Sequence, residues 1–280
     1  MKVGLALGGG GVRGLAHILV LEALDQLGVR PSIIAGTSMG AIIGALYASG
    51  ISGKEIRERI SRKLTFKVDT WRDVVDKKDD LLQLVSAFSS ELSRGRFPNA
   101  QGFFHYLFGE ITARRFEDLQ IPLLISTADF WTAEEVVFDS GELLPAIQAS
   151  LAVPGVFRPV AIAGRVLVDG GVVNLVPYDL LIDHVDLTIA VDVSRVRNHA
   201  GKEIPGTLDA ILGAFNIMQE AAFIEKMKVR RPDIYVHPEI SGVRMLDFSK
   251  VEEVFAQAMP AVDLLVCFYG SFPTRQRNFF

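Results

Sequence analysis

The residue of this sequence that is best placed to act as a nucleophile is Ser38. Residues 36–40 match the pattern G-x-S-x-G, with Gly36 and Gly40 two positions on either side of the serine. A serine in a sharp turn between a strand and a helix needs such neighbours, because side chains on them would crowd the strained backbone. The turn also places the hydroxyl at a helix N-terminus, where developing negative charge is favoured. The pattern alone is equally typical of a Gly-rich helix start with Ser38 as its N-cap.

A second glycine-rich stretch, residues 8–14, follows the first apolar run of the chain. Acyl transfer needs N–H donors for a tetrahedral oxyanion, and the consecutive glycines Gly9, Gly10 and Gly11 present theirs without shielding side chains. The same stretch matches the dinucleotide-binding pattern G-x-G-x-x-G. That pattern also requires an acidic residue at the end of the second strand, and residues 35–38 contain none. The sequence therefore favours an oxyanion hole and leaves a nucleotide-binding protein as an alternative.

Two groups are candidates for the general base that a serine hydroxyl needs. His237, the best placed of five histidines, follows an apolar run late in the chain, as in a Ser–His–Asp hydrolase. Asp169 also ends an apolar run, and Gly170 and Gly171 after it allow a tight turn close to a ligand. A carboxylate is a weak base for serine unless burial raises its pKa. Because an Asp-Gly hairpin turn explains the same residues without catalysis, the residues alone leave these alternatives open.

The elements that must hold these residues alternate between strands and helices. Residues 3–7 and 32–35 are apolar runs typical of strands buried on both faces of a parallel sheet, and each leads through a glycine-rich turn into a helical pattern. This βαβ order brings both turns to the same carboxyl edge of the sheet. Further strands are predicted at 121–128, 135–138, 166–168, 187–191 and 234–236, and further helices at 55–63, 143–150, 207–229 and from 249 onward. The sequence predicts one α/β domain over residues 1–280, with three α/β/α layers and a mostly parallel central sheet.

Residues 65–110 break this alternation. The segment mixes aspartates with lysines, continues with an apolar helical pattern and ends in aromatic residues that include Phe97, Phe103, Phe104 and Phe108. We interpret it as an inserted helical lid, whose aromatic rings would suit contact with an acyl chain or a lipid boundary. A packing helix of a second layer is an equally good interpretation.

Composition excludes several classes of protein. The chain has 29 Lys+Arg against 33 Asp+Glu, a net charge of −4, without a basic stripe, which argues against nucleic-acid binding. Its single cysteine, Cys267, can form neither an internal disulfide nor a cysteine-based zinc site, which is typical of a reducing compartment. The mean hydropathy of +0.30 is high, yet no apolar run approaches the ~20 residues of a spanning helix. We expect a cytoplasmic protein without a secretory signal that makes transient contact with membrane surfaces.

Three motifs, taken in their order along the chain, resemble those of the patatin-like phospholipases. They are residues 9–14, 36–40 and 169–171, and residues 149–157 resemble the stretch that precedes the family's aspartate motif. The resemblance covers the chain up to about residue 192, without the segment 65–110. It departs at Leu19, where family members often have glycine.

The resemblance implies a Ser–Asp dyad without histidine, in which Ser38 is the nucleophile and Asp169 its base. The activity it implies is hydrolysis of carboxylic esters of phospholipids or lysophospholipids through an acyl-enzyme, with neither a metal nor an organic cofactor. A Ser–His–Asp esterase that uses His237, a nucleotide-binding protein and a non-catalytic adaptor are the alternatives. The further site residues that the resemblance implies are the oxyanion hole of Gly9, Gly10 and Gly11 with Arg13 near it, Gly36 and Gly40 of the nucleophile turn, and Gly170 and Gly171 of the base motif.

Overall fold

A computed structural model describes residues 1–64, 111–194, 204 and 206–271 of the chain. Its strands are β1 (Val3–Leu7), β2 (Ile33–Thr37), β3 (Leu123–Asp129), β4 (Glu135–Phe138), β5 (Val160–Ile162), β6 (Arg165–Asp169), β7 (Leu187–Val191) and β8 (Ile234–Val236). They form one sheet in the order β5-β6-β3-β2-β1-β7-β8, in which β4 also pairs with β3. The predicted lid at residues 65–110 lies outside the described residues.

The centre of the sheet is parallel. β1 pairs in parallel with β2 and with β7, and parallel pairing continues to β3 on one side and to β8 on the other. Every residue of β1 and β7 is buried, which explains why both segments are mostly apolar and do not alternate between apolar and polar residues. The remaining strands, β4, β5 and β6, pair antiparallel. The predicted α/β fold with a mostly parallel central sheet is confirmed.

Strand β6 uses the same edge of β3 as β2 does. β2 pairs with residues 123–126 of β3, and β6 pairs with residues 127–129. The carbonyl of Pro122 accepts a hydrogen bond from β2, and the N–H of Phe130 donates one to β6. Backbone groups of successive residues point to opposite edges of a strand. Positions 122 and 130 differ by an even number of residues, so their backbone groups face the same edge. β6 therefore continues along β3 from the point where β2 ends.

Helices cover both faces of the sheet and give the predicted three layers. They are α1 (His17–Gln26), α2 (Met39–Ala48), α3 (Gly53–Leu64), α4 (Leu143–Ser150), α5 (Thr207–Val229) and α6 (Val251–Ser271). Side chains of α1, α2, α3, α4 and α6 share one apolar core with one face of the sheet. On the opposite face, Phe223 of α5 and Tyr178 pack against Ala6, Ala35 and Ala190 of the central strands.

Local details of the helices differ in part from the sequence pattern. The helical pattern predicted after the glycine-rich stretch begins as a 3-10 turn, Gly11–Ala16, because Gly11 adopts a left-handed conformation with φ of 59°. Leu19, where the family resemblance departs, is buried in the core. At the start of α3 the N–H of Glu55 donates to Ser52 Oγ at 3.2 Å, as its capping pattern predicts. Within the described ranges, no helix is both long enough and apolar enough to cross a membrane.

Candidate active site

Ser38 lies on a strained turn between β2 and α2. Its φ of 55° and ψ of −120° are a conformation that non-glycine residues rarely adopt, and such strain is typical of functional sites. A Cβ atom at Gly40 would lie 2.0 Å from the carbonyl oxygen of Leu7, and one at Gly36 would lie 2.7 Å from the backbone of Ala41. Only glycine fits at either position. The spacing of the G-x-S-x-G motif is therefore explained by two close backbone approaches.

Asp169 lies where β6 ends, next to Ser38. The Ser38 side chain interacts with the Asp169 carboxylate in the direction that lowers its pKa, and both residues line one cavity. Asp169 Oδ1 also accepts a hydrogen bond from the N–H of Gly171 at 2.7 Å, which fixes the carboxylate at the start of the turn after β6. A Cβ atom at Gly170 would lie 2.3 Å from the carbonyl oxygen of Ser126, so this glycine lets the turn approach β3 closely.

The environment of Asp169 makes its carboxylate a stronger base. The residue is 2% exposed. Burial raises its pKa from 3.8 to about 7, although the interaction with Ser38 and the hydrogen bond from the Gly171 N–H act in the opposite direction. Water stabilises the charged form of a carboxylate, so its removal favours the protonated form. Near neutral pH, this carboxylate can therefore accept a proton far more readily than an exposed aspartate.

The glycine-rich loop borders the serine on the other side. A Cβ atom at Gly9 would lie 3.3 Å from Ser38 Cβ, which shows how close the loop approaches the serine. The N–H of Gly9 donates to the carbonyl of Leu175 at 2.9 Å. The N–H groups of Gly10 and Gly11, in contrast, have no acceptor among the described residues. Of the three glycines predicted for the oxyanion hole, two thus have amides available for a ligand.

Arg13 ties the glycine-rich loop to neighbouring segments. It is 1% exposed, and its Nε donates to the carbonyl of Val193 at 3.1 Å while Nη1 donates to the carbonyl of Val243 at 3.2 Å. Both acceptors are backbone groups on segments that flank the loop. Its guanidinium therefore holds the loop against the end of β7 and the segment before α6.

These residues surround one cavity of about 380 Å³. Ser38 and Asp169 lie in its wall together with the glycine-rich loop and Arg13. α5 forms part of the opposite wall. The apolar side chains that line the cavity are Val153, Leu175, Phe215, Ile217 and Met245. The Ser38 turn, the buried Asp169 carboxylate and the glycine-rich loop thus border one partly apolar space.

Comparison with known proteins assigns the chain to a family. Residues 5–182 match the model of the patatin-like phospholipases. The chain belongs to the patatin-like phospholipase family. Among curated members it is 27% identical to lysophospholipase nte1 of Aspergillus fumigatus over 280 residues, which cover 90% of this chain and 17% of that protein. It is 30% identical to a patatin-like phospholipase domain-containing protein of Caenorhabditis elegans over 278 residues, which cover 90% of this chain and 20% of that protein.

The chain therefore spans about a fifth of the length of these curated patatin-like relatives. A solved structure with a similar fold is VipD from Legionella pneumophila, at a TM-score of 0.50 and 15% identity. The alignment covers 94% of this chain and 66% of VipD. The predicted resemblance to patatin-like phospholipases and the predicted patatin-like fold are both confirmed.

Among the described residues, no histidine lines the Ser38 cavity. His237 follows β8, but its Nδ1 lies 3.4 Å from Asp192 Oδ2, and His237 lines a different cleft from Ser38. His184 is exposed outside the cavity. His105 and His199 are outside the described residues. The structure does not bring His237 to the serine, as a Ser–His–Asp esterase would require.

Two buried residues near the site had no role assigned from the sequence. The N–H of Ser38 donates to Ser150 Oγ at 2.8 Å, and that hydroxyl donates to the carbonyl of Ser126 at 2.7 Å. Ser150, which ends α4, therefore links the nucleophile turn to β3. The available signal was its place in the stretch before the aspartate motif, where the sequence suggested only a helix end.

The second is His17, at the start of α1. Its Nε2 lies 2.8 Å from the carbonyl oxygen of Gly8, the residue that precedes the three glycines of the loop. Burial lowers the pKa of His17 from 6.5 to about 4, although the hydrogen bond to Gly8 and the charge of Asp192 raise it. The ring is therefore neutral near pH 7, and its Nε2–H donates to Gly8. Local sequence offered no signal for this contact beyond a histidine close to the glycine-rich loop.

Proposed function

We propose that this protein is a serine-dependent lipid acyl hydrolase that cleaves carboxylic esters of phospholipids or lysophospholipids through a Ser38–Asp169 dyad. The observation that carries the proposal is the placement of Ser38, on its strained turn, beside the buried Asp169 carboxylate in the wall of one cavity. Membership of the patatin-like phospholipase family supports the class of substrate. The apolar part of the cavity wall offers a surface for an acyl chain.

In the first half of the reaction, Ser38 forms an ester with the acyl group. Asp169 takes the hydroxyl proton as Oγ bonds to the carbonyl carbon of the substrate. The carbonyl oxygen becomes an oxyanion, and the N–H groups of Gly10 and Gly11 donate hydrogen bonds to it. When the intermediate collapses, the bond to the leaving alcohol breaks and Asp169 returns the proton to that oxygen.

The second half repeats these steps with water. Asp169 removes a proton from a water molecule as its oxygen attacks the acyl-enzyme carbonyl. Collapse of this second intermediate returns the proton to Ser38 and releases a fatty acid. The raised pKa of Asp169, about 7, suits both directions of proton transfer near neutral pH. No other titratable group is needed.

Labelling with a fluorophosphonate probe tests the nucleophile. We expect one covalent adduct, mapped by mass spectrometry to Ser38, and we expect Ser38→Ala to lose both the adduct and release of fatty acid from a lysophospholipid. The loss of rate should be roughly 10³-fold or more. Ser249→Ala is the matched control. Ser249 is exposed, and among the described residues its hydroxyl hydrogen-bonds only to Asp247. A folded wild-type protein that takes no label at Ser38 would overturn the proposal and favour the adaptor.

A further inference from the structure

A second cleft adjoins the Ser38 cavity along α5. It has a volume of about 510 Å³ and lies between α5 and the carboxyl ends of β7 and β8. Ser194 and Glu220 line both spaces, so the cleft and the cavity are neighbours along one surface. Three strand spacings of about 4.8 Å separate the backbone of Ser38 from that of His237. The cleft is therefore within reach of a single lipid molecule whose ester lies at Ser38.

The floor of this cleft holds the imidazole of His237, which lies against the buried carboxylate of Asp192. Asp192 is 2% exposed, and its Oδ2 accepts a hydrogen bond from the Tyr235 hydroxyl at 2.7 Å and lies 3.4 Å from His237 Nδ1. Hydrogen bonding to Asp192 raises the pKa of His237 against the effect of burial. The Tyr235 ring stacks on the imidazole at 5.9 Å between centroids and limits its movement. His237 is thus a fixed donor whose second nitrogen remains available.

Arg231 adds a second cation to the wall of the cleft. It is exposed, and within the described residues it has neither an ion pair nor a hydrogen bond. The neighbouring Arg230, in contrast, pairs with Asp183 at 2.6 Å and does not line the cleft. Lys228, which also lines the cleft, already pairs with Glu225 at 2.6 Å. Arg231 therefore offers its guanidinium to a ligand, and His237 offers the Nε2 that its contacts with Asp192 leave available.

We propose that this cleft binds the phosphate of the lipid substrate, with His237 and Arg231 as its ligands. The inference rests on the proposed hydrolysis at Ser38, because it assigns the headgroup end of the same substrate. Arginine and protonated histidine form strong charge-assisted hydrogen bonds to phosphate oxygens. The apolar walls of the Ser38 cavity are left for the acyl chain. The two spaces together predict that the protein prefers phosphorylated glycerol esters over neutral ones.

The test compares two short-chain substrates that differ only in the phosphoethanolamine group, hexanoyl lysophosphatidylethanolamine and monohexanoylglycerol. The readout is the ratio of their kcat/KM values. We expect His237→Gln and Arg231→Gln each to lower this ratio about tenfold, mainly through KM for the phosphorylated substrate, which corresponds to the loss of one charged hydrogen bond. Arg230→Gln, the neighbouring arginine outside the cleft, should keep the wild-type ratio. An unchanged ratio in both cleft variants would overturn the proposal.

Direct binding separates this proposal from the proposed function. Glycerophosphoethanolamine, which has no ester to hydrolyse, should bind to the Ser38→Ala variant in calorimetry and lose most of its affinity after His237→Gln is added. This result would support the cleft even if the protein hydrolyses neither substrate. Inorganic phosphate is the competing ligand. If it binds as tightly as glycerophosphoethanolamine and the kcat/KM ratio does not respond to the cleft variants, the site is one for free phosphate and the headgroup assignment is wrong.

Discussion

Ser38 and Asp169 lie side by side because the strands that carry them, β2 and β6, occupy successive stretches of one edge of β3. β2 reaches that edge in parallel and ends directly before Ser38, whereas β6 reaches it antiparallel and ends at Asp169. The register places Thr37 opposite Ser126 and Asp169 opposite Thr127, so the two strands end at adjacent positions of the same strand. The dyad proposed here depends on this change of partner along β3.

The pH dependence of hydrolysis should follow the ionisation of Asp169. The carboxylate must be charged to accept the proton of Ser38, and burial raises its pKa to about 7. For a short-chain ester, we therefore expect kcat/KM to rise about tenfold per pH unit below that pKa and to level off above it. Asp169→Asn should lower kcat by roughly 10²- to 10⁴-fold at every pH. A rate that is flat from about pH 5 to 8 would contradict this role for Asp169.

The same buried carboxylate should cost stability when it is charged. Its pKa is higher in the folded protein, about 7, than the ordinary aspartate value of 3.8, so the folded state binds the proton more tightly. Stability is consequently lost as pH rises between these values, by at most about 4 kcal/mol. The asparagine in Asp169→Asn does not titrate. The free energy of unfolding of this variant, measured in urea, should therefore rise relative to that of the wild type from pH 5 to pH 8. Asp183→Asn, the same change at an exposed position, should show no such trend.

Much of this fold is predictable from local patterns. The apolar runs at residues 3–7 and 32–35 predict buried parallel strands, and the glycines around Ser38 predict a tight turn. The role of Asp169 was not decidable from the residues, since an Asp-Gly hairpin has the same local sequence. Asp169 lies next to Ser38 because β6 pairs antiparallel with β3, and this pairing joins segments far apart in the chain.

The positioning contacts of Ser150 and His17 escaped prediction for the same reason. Each contact depends on one side chain reaching a backbone group of another segment, Ser38 N–H in one case and the Gly8 carbonyl in the other. The local sequence around a single buried serine or histidine does not predict which distant backbone group it will contact. Their structural roles therefore became visible only from the packed helices and strands.

Gly40 should tolerate no side chain. A Cβ atom there would lie 2.0 Å from the carbonyl oxygen of Leu7, and neither backbone can move without displacing the Ser38 turn. We expect Gly40→Ala to lower the free energy of unfolding by about 3 kcal/mol or more. The same variant should also show reduced labelling by the fluorophosphonate probe. The matched control is Gly213→Ala in α5, where an added Cβ meets nothing within 4 Å. It should be neutral or stabilising by up to about 1 kcal/mol, and equal effects of the two substitutions would refute the steric argument.

His17 should stabilise the glycine-rich loop only while its ring is neutral. His17→Leu leaves the buried carbonyl of Gly8 without its donor, which should cost about 1–3 kcal/mol of unfolding free energy at pH 7. In the wild type, the folded pKa of His17, about 4, lies below the ordinary histidine value of 6.5, so the unfolded state binds the proton more tightly. The wild type should therefore lose up to about 3 kcal/mol from this group as pH falls between these values.

The leucine variant has no such group, so its disadvantage should shrink or reverse by about pH 4. Asp169 titrates in both proteins and cancels in the difference between them. Urea unfolding of both proteins across this pH range measures that difference, with His184→Gln as the control at an exposed histidine. A difference that stays constant from pH 7 to pH 4 would mean that His17 is not held neutral in the folded protein, and the hydrogen bond to Gly8 would then need another explanation.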